Sequence, residues 1–223
     1  MTNVLIENIE NSLYNTDNYS SKITDDILSM TGMSGPKTRH FYNNLCSMNG
    51  ARYLEIGTWK GSSICSAMCN NKMTCVAIDN WSEFGGPKKE FLGNFNKYKG
   101  ENNATFIEKN CWDVDVTTLA NFNIYMYDGN HTETSHYQAL NYYLPCLDDE
   151  FIYLVDDWNH LPVREGTLKS IKDNKLKILY QKEIFTPSNN PLNDWHNGIS
   201  IFVFNSQIGS VCSSPSDTKA ANV

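Results

Sequence analysis

The chain has no excess of positive charge. Lys and Arg number 18 against 25 Asp and Glu, for a net charge of −7 and a pI near 5.2. No basic stripe stands out, which argues against a nucleic-acid backbone as main partner. No apolar run approaches the roughly 20 residues of a membrane span, so no membrane partner is expected. Met1 to Glu10 carries acids and no basic n-region, so no secretory leader is expected. No C-x-x-C pair exists, and the seven Cys residues are scattered. Buried free thiols are therefore expected ahead of disulfides or zinc, and the setting reads as soluble, reducing and cytoplasmic. There is no internal repeat. The dinucleotide pattern G-x-G-x-x-G is also missing. What remains is a 223-residue chain, 40% hydrophobic and 12% aromatic. That is enough to fill the core of one α/β domain with additions.

Residues 1–35 are polar and form an N-terminal extension with two short helical patches. One is carried by Val4-Leu5, Ile9 and Leu13, the other by Ile23, Ile27, Leu28 and Met30. It could lid a site or contact a second copy in a homo-oligomer. Pro36 suits a first helical turn, and the helix it opens is expected to run to about Met48. Residues 36–205 then alternate between strand and helix patterns. Strands are expected at Arg52–Ile56, Met73–Ile78, Ala104–Glu108, Asn123–Tyr127, Phe151–Val155, Lys175–Ile184 and Ile199–Phe204. Helices are expected at Ser62–Asn70, up to about Tyr98, around Val114–Ala120, at Thr132–Leu144 and at Pro162–Asp173. The Ser-rich tail, 206–223, is expected to be disordered. Strands alternating with helices imply an α/β fold with a largely parallel sheet covered on both faces.

In such sheets ligands bind outside the carboxyl ends of the strands. The first strand ends in Glu55-Ile56-Gly57-Thr58-Trp59-Lys60-Gly61-Ser62-Ser63. Gly57 and Gly61 allow a sharp turn and a close ligand approach, and the helix behind them offers free N–H groups. The second strand ends at Asp79-Asn80-Trp81, 22 residues beyond Gly57. A carboxylate there can accept both hydroxyl hydrogens of a ribose, with Asn80 or Trp81 against a base. The third strand ends at Asn110-Cys111-Trp112. The fourth ends at Asp128-Gly129-Asn130-His131 and the fifth at Asp156-Asp157-Trp158. Three carboxylates on adjacent strand ends repel, and a cation keeps them ionised. All-oxygen ligands suit Mg²⁺, Mn²⁺ or Ca²⁺ rather than zinc.

The E-x-G-x-x-x-G turn resembles the first motif of class I S-adenosylmethionine (SAM) methyltransferases. With the later Asp-Gly-x-His and Asp-Asp blocks, Arg52 to Asn159 is similar to metal-dependent sugar O-methyltransferases and cephalosporin-hydroxylase-like proteins. The resemblance implies a Rossmann-like three-layer sandwich, with a mostly parallel seven-stranded sheet and an antiparallel last strand. It implies SAM held at Glu55, Gly57, Thr58, Gly61 and Ser63, then at Asp79, Asn80 and Trp81, with Asn110, Cys111 and Asp128 beside them. It maps the ligands of Mg²⁺ or another hard divalent cation onto Asp128, Asp156 and Asp157. The acceptor would be a small polyhydroxylated molecule.

Some sugar methyltransferases carry a second Asp where this chain has Asn130, which cannot take a proton. His131 is the next candidate base, or else a group that orients the metal ligands or caps the following helix, and His160 is the reserve. His136 reads as structural. Trp195 and His196 either line the acceptor pocket or close a loop. His40 reads as a surface residue. The alternative is a catalytically inactive SAM- or nucleotide-binding module of the same fold.

Overall fold

In the computed structural model, residues 3–187 and 194–206 are described. The expected tail beyond Ser206 lies outside them. Ser206 itself donates its N–H to the Asp149 carbonyl at 2.8 Å.

The N-terminal patches are real helices. α1 spans Val4–Asp17 and α2 spans Asp25–Ser29. The Asn3 side chain caps α1 by accepting from Leu5 and Ile6 N–H, the standard use of Asn before a helix. α3, Pro36–Leu45, opens on proline as expected but ends three residues before Met48. Asn8 of α1 donates its amide to the freed Leu45 carbonyl at 3.0 Å, which substitutes for a further turn.

Seven strands follow: β1 Arg52–Ile56, β2 Thr74–Asp79, β3 Asn103–Glu108, β4 Phe122–Tyr127, β5 Leu147–Asp156, β6 Lys177–Ile184 and β7 Ile199–Asn205. Their spatial order is β3-β2-β1-β4-β5-β7-β6. β7 runs antiparallel to both β5 and β6, and the other pairings are parallel. Between them lie α4 Ser62–Met68, α5 Lys88–Tyr98, α6 Glu133–Tyr143 and α7 Leu161–Asp173. This is the Rossmann-like sandwich with a helical N-terminal segment. Every residue of β4 is buried, as a central strand covered on both faces requires.

Two differences from expectation have local causes. The helix expected around Val114–Ala120 is replaced by two 3₁₀ turns, Cys111–Asp113 and Val116–Thr118. Asn110 and Asp115 accept from the backbone two residues on, which favours short turns over helix. β5 starts at Leu147 rather than Phe151, because the polar run Asp148-Asp149-Glu150 obscured its first half. Glu150 nonetheless pairs with Asn205 of β7.

The core lies in two layers. One face is covered by α1 to α5, through residues such as Ile9, Phe41, Ile64 and Phe91. The other is covered by α6 and α7, through Leu140, Tyr143, Val163 and Ile171. Among the described residues six cysteines are free thiols, five of them buried. No helix among the described residues is long and apolar enough to cross a membrane. Strand order reverses between β1 and β4, and this switch point is where such sheets open a crevice.

Candidate functional site

A cavity of about 510 Å³ opens at the carboxyl ends of the strands. Ligand sites commonly occupy roughly 300–1,000 Å³. One end is the glycine turn. Ile56 is in register with Tyr127, and Asp128 donates its N–H to the Ile56 carbonyl at 2.9 Å. Gly57 therefore lies directly against Asp128. A Cβ at Gly57 would land on the Asp128 carbonyl oxygen, and its φ is +82°. Here the close approach that needs glycine comes from the chain's own backbone.

Asp79 organises this end. Its Oδ2 accepts the Thr58 and Trp59 N–H groups, each at 2.8 Å, and its Oδ1 accepts Trp81 N–H at 2.7 Å. The indole of Trp81 donates to the Trp59 carbonyl, and the indole of Trp59 to the Phe84 carbonyl. One carboxylate thus ties the turn after β1 to the loop after β2. Asn80, Trp81, Asn110 and Cys111 line the same end, as do Thr58 and Ser63.

Glu55 is placed differently. It is fully buried and does not line the cavity. Its carboxyl receives Tyr53 O–H at 2.7 Å and Ser63 O–H at 2.6 Å. Burial pushes its pKa up to about 8, against the pull of those two hydrogen bonds. Gly61, with φ +87°, packs against the Phe91 ring. Both residues shape the turn from behind.

The other end is acidic. His131 Nε2 lies 2.7 Å from Asp157 Oδ2 and 3.8 Å from Asp128 Oδ1. The neighbouring Asp128 and Asp157 carboxylates favour the protonated imidazole and push its pKa up to about 10, against the effect of burial. Burial alone would raise Asp157, but His131 and the Asn197 amide hold it below the usual carboxylate range. Asp156 goes the other way: burial, then the charges of Asp128 and Asp157, push it well up.

The ligand atoms of Asp128, His131 and Asp157 lie within 4.8 Å of one another, a spacing that can hold a metal ion. Asp156 is not part of that group, although it lines the cavity. His131 is not the cap of α6, because Thr132 Oγ1 accepts the Ser135 N–H. His160 lines the cavity, with its ring 5.7 Å from that of His131. His136 is fully buried, with its ring edge-on to Tyr127. Trp195 is buried against Phe41, whereas His196 lines the cavity. His40, expected at the surface, is only 5% exposed, with Nδ1 2.8 Å from Ser21 Oγ.

Strain gathers here. Trp59, Trp81, Phe84, Asp157 and His196 all have positive φ and all line the cavity. Such backbone is costly and clusters at functional sites.

Sequence reading missed Met33, Ser34, Glu83 and Asn197, which also line the cavity. They come from loops whose composition carries no signal.

A family model described as a methyltransferase domain matches residues 54–158. Those residues are similar to that family. They span the structure from β1 to the turn after β5, which includes both ends of the cavity. Solved structures share the fold of this domain at low identity. An O-methyltransferase from Bacillus cereus, in complex with SAH, is 11% identical with a TM-score of 0.54. That match covers 89% of this chain and 90% of the other. Precorrin-6y C5,15-methyltransferase from Geobacter metallireducens GS-15 is 13% identical with a TM-score of 0.55, covering 82% of this chain and 96% of the other. No curated protein matches the sequence. The fold is the one these methyltransferases have, and the family match lies over the strand ends that form the cavity.

Proposed function

We propose that the chain is an O-methyltransferase that moves the methyl group of SAM to a hydroxyl of a small polyhydroxylated acceptor, with divalent-metal assistance. The supporting observation is that one cavity joins the Asp79-organised turn to the Asp128–His131–Asp157 cluster. SAM would lie along Gly57, Thr58 and Asp79, with Trp81, Asn110 and Cys111 beside its base. The acceptor hydroxyl would enter from the acidic end.

The donor set of two carboxylates and an imidazole fits a divalent cation. Asp128 and Asp157 would hold it, with His131 beside them and Asp156 behind. A cation there supplies Lewis-acid polarisation of the acceptor hydroxyl. The chain's own work is then largely positioning, by holding the hydroxyl in line with the methyl group. His131 carries a proton while paired with Asp157. It becomes a proton acceptor only when those carboxylates are engaged elsewhere. Asn130 cannot take that role, and its amide donates to Glu83 instead.

A second reading is favoured by the His131–Asp157 pair itself. The imidazolium already offsets the acids, so the site could bind SAM and work without metal. Calorimetry with SAM, with and without Mg²⁺, tests the proposal directly. Absence of SAM binding would defeat it. Methyl transfer that survives complete EDTA treatment would move the mechanism to the metal-free reading.

A further inference from the structure

The loop after β2, residues 80–87, does not stay on its own side of the cavity. Strand order puts β1 between β2 and β4. A contact from this loop to the loop after β4 must therefore pass over the end of β1, where the glycine turn lies. Such a contact exists: Asn130 Nδ2 donates to Glu83 Oε1 at 3.3 Å. The same loop is also tied to the turn itself. The Trp59 indole donates to the Phe84 carbonyl at 3.0 Å, and the Trp81 indole to the Trp59 carbonyl at 3.0 Å. Glu83, Phe84 and Asn130 all line the cavity.

The backbone of this loop is unusual. Trp81, Phe84, Gly85 and Gly86 have φ of +49°, +52°, +81° and +62°. No described atom crowds Gly85, so glycine serves there for its backbone and not for space. Phe84 is 61% exposed although it lines the cavity, which leaves an apolar ring for a bound ligand to cover.

Asn130 is chemically matched to the contact. Its Oδ1 accepts the Thr132 N–H at 3.2 Å, just before α6, while its Nδ2 reaches Glu83. An amide carries both an acceptor and donors, whereas an ionised carboxylate carries acceptors only. Aspartate at this position could hold Thr132, but it would set oxygen against oxygen at Glu83. The amide therefore has a task that a carboxylate could not perform.

We propose that residues 80–87 are a strap across the cofactor end of the cavity, and that Asn130 is the positioning residue that latches it over the bound cofactor. That occupant rests on the SAM reading above. Asn130 then controls how fast SAM leaves, without touching it.

The test reads SAM release by stopped flow, with tryptophan fluorescence as the signal. Asn130→Asp replaces a hydrogen bond by a repulsion and should speed release about tenfold. Adding Glu83→Gln restores a donor opposite the new carboxylate and should recover most of the loss. Adding Glu83→Ala instead removes the repulsion without restoring a bond, and this double variant should release SAM no more slowly than Glu83→Ala alone. Glu83→Ala alone leaves α6 and its cap untouched and should speed release several-fold, which covers the case in which Asn130→Asp fails to fold. Hydrogen exchange at Phe84 to Gly86 should rise in both single variants. Release within twofold of wild type in either single variant overturns the latch, as does equal rescue by Gln and by Ala. Wild-type protein that binds no SAM overturns the SAM reading. The latch is then decided by exchange alone, and rates at Phe84 to Gly86 that are no faster in Glu83→Ala than in wild type overturn it.

Discussion

The two ends of the cavity hold their carboxylates in opposite ways. At the turn after β1, Asp79 is satisfied by three backbone N–H groups. At the ends of β4 and β5, Asp128 and Asp157 face an imidazolium, while Asp156 is pushed well up by burial. The first end is held by backbone geometry, which does not depend on a bound ion. The second is held by side-chain charge, which a cation or a change of protonation can rearrange. A carboxylate tied to backbone builds a dock, and one tied to a titratable side chain can take part in chemistry.

Gly57→Ala should break the comparison, because this residue joins the two ends. The new Cβ would overlap the Asp128 carbonyl oxygen, and φ +82° is unfavourable for alanine. Left-handed backbone and overpacking together should cost about 3–5 kcal/mol. Urea unfolding should show that loss, with SAM binding abolished. A variant within about 1 kcal/mol of wild type would mean that the turn can relax away from Asp128.

Asp79→Asn sharpens the contrast by touching one end alone. Asn keeps one acceptor oxygen but sets an NH₂ group against backbone donors. The expected loss is about 2–3 kcal/mol. Hydrogen exchange should rise at Thr58, Trp59 and Trp81 while Asp128 and Trp158 keep their protection. Equal loosening at both ends would show that they are one unit.

Asp157→Asn acts on the other end. It removes the closest partner of His131 and one candidate metal ligand. Methyl transfer should fall about a hundredfold or more, while SAM affinity stays within a few-fold of wild type. If SAM affinity fell as far as activity, the division into dock and reaction end would fail.

The fold was legible because central strands buried on both faces read as apolar runs, as in Phe122–Tyr127 and Phe151–Val155. The strand-end carboxylates were legible because the topology collects them at one edge. Short-range competition was harder to read. Asn110 was read only as a cofactor residue and Asp115 carried no reading at all, yet their side chains turned an expected helix into two 3₁₀ turns. The cavity wall was hardest. Ser34, Glu83 and Asn197 reach it through loops. His40 was misread for the same reason, since Ser21 approaches it from a distant stretch.

Glu55 offers the smallest and most specific test, because it lies beneath the dock rather than in it. Its folded pKa is pushed up to about 8 from 4.5, with burial as the main cause. Between those values the unfolded chain gives up this proton while the folded chain keeps it. The folded state then binds more protons, so stability falls as pH rises from about 4.5 to about 8. Below that window the group contributes no slope. Each unit of such a shift is worth about 1.4 kcal/mol. Glu55→Gln keeps an acceptor for one of the two hydroxyls and a donor for the other, and it cannot ionise. Its stability should therefore fall less than that of wild type between pH 5 and pH 8, with the curves converging toward pH 4.5. Parallel curves across the whole range would mean that Glu55 is ionised in the folded protein. The dock would then rest on a charged acid, and its contrast with the acidic end would narrow.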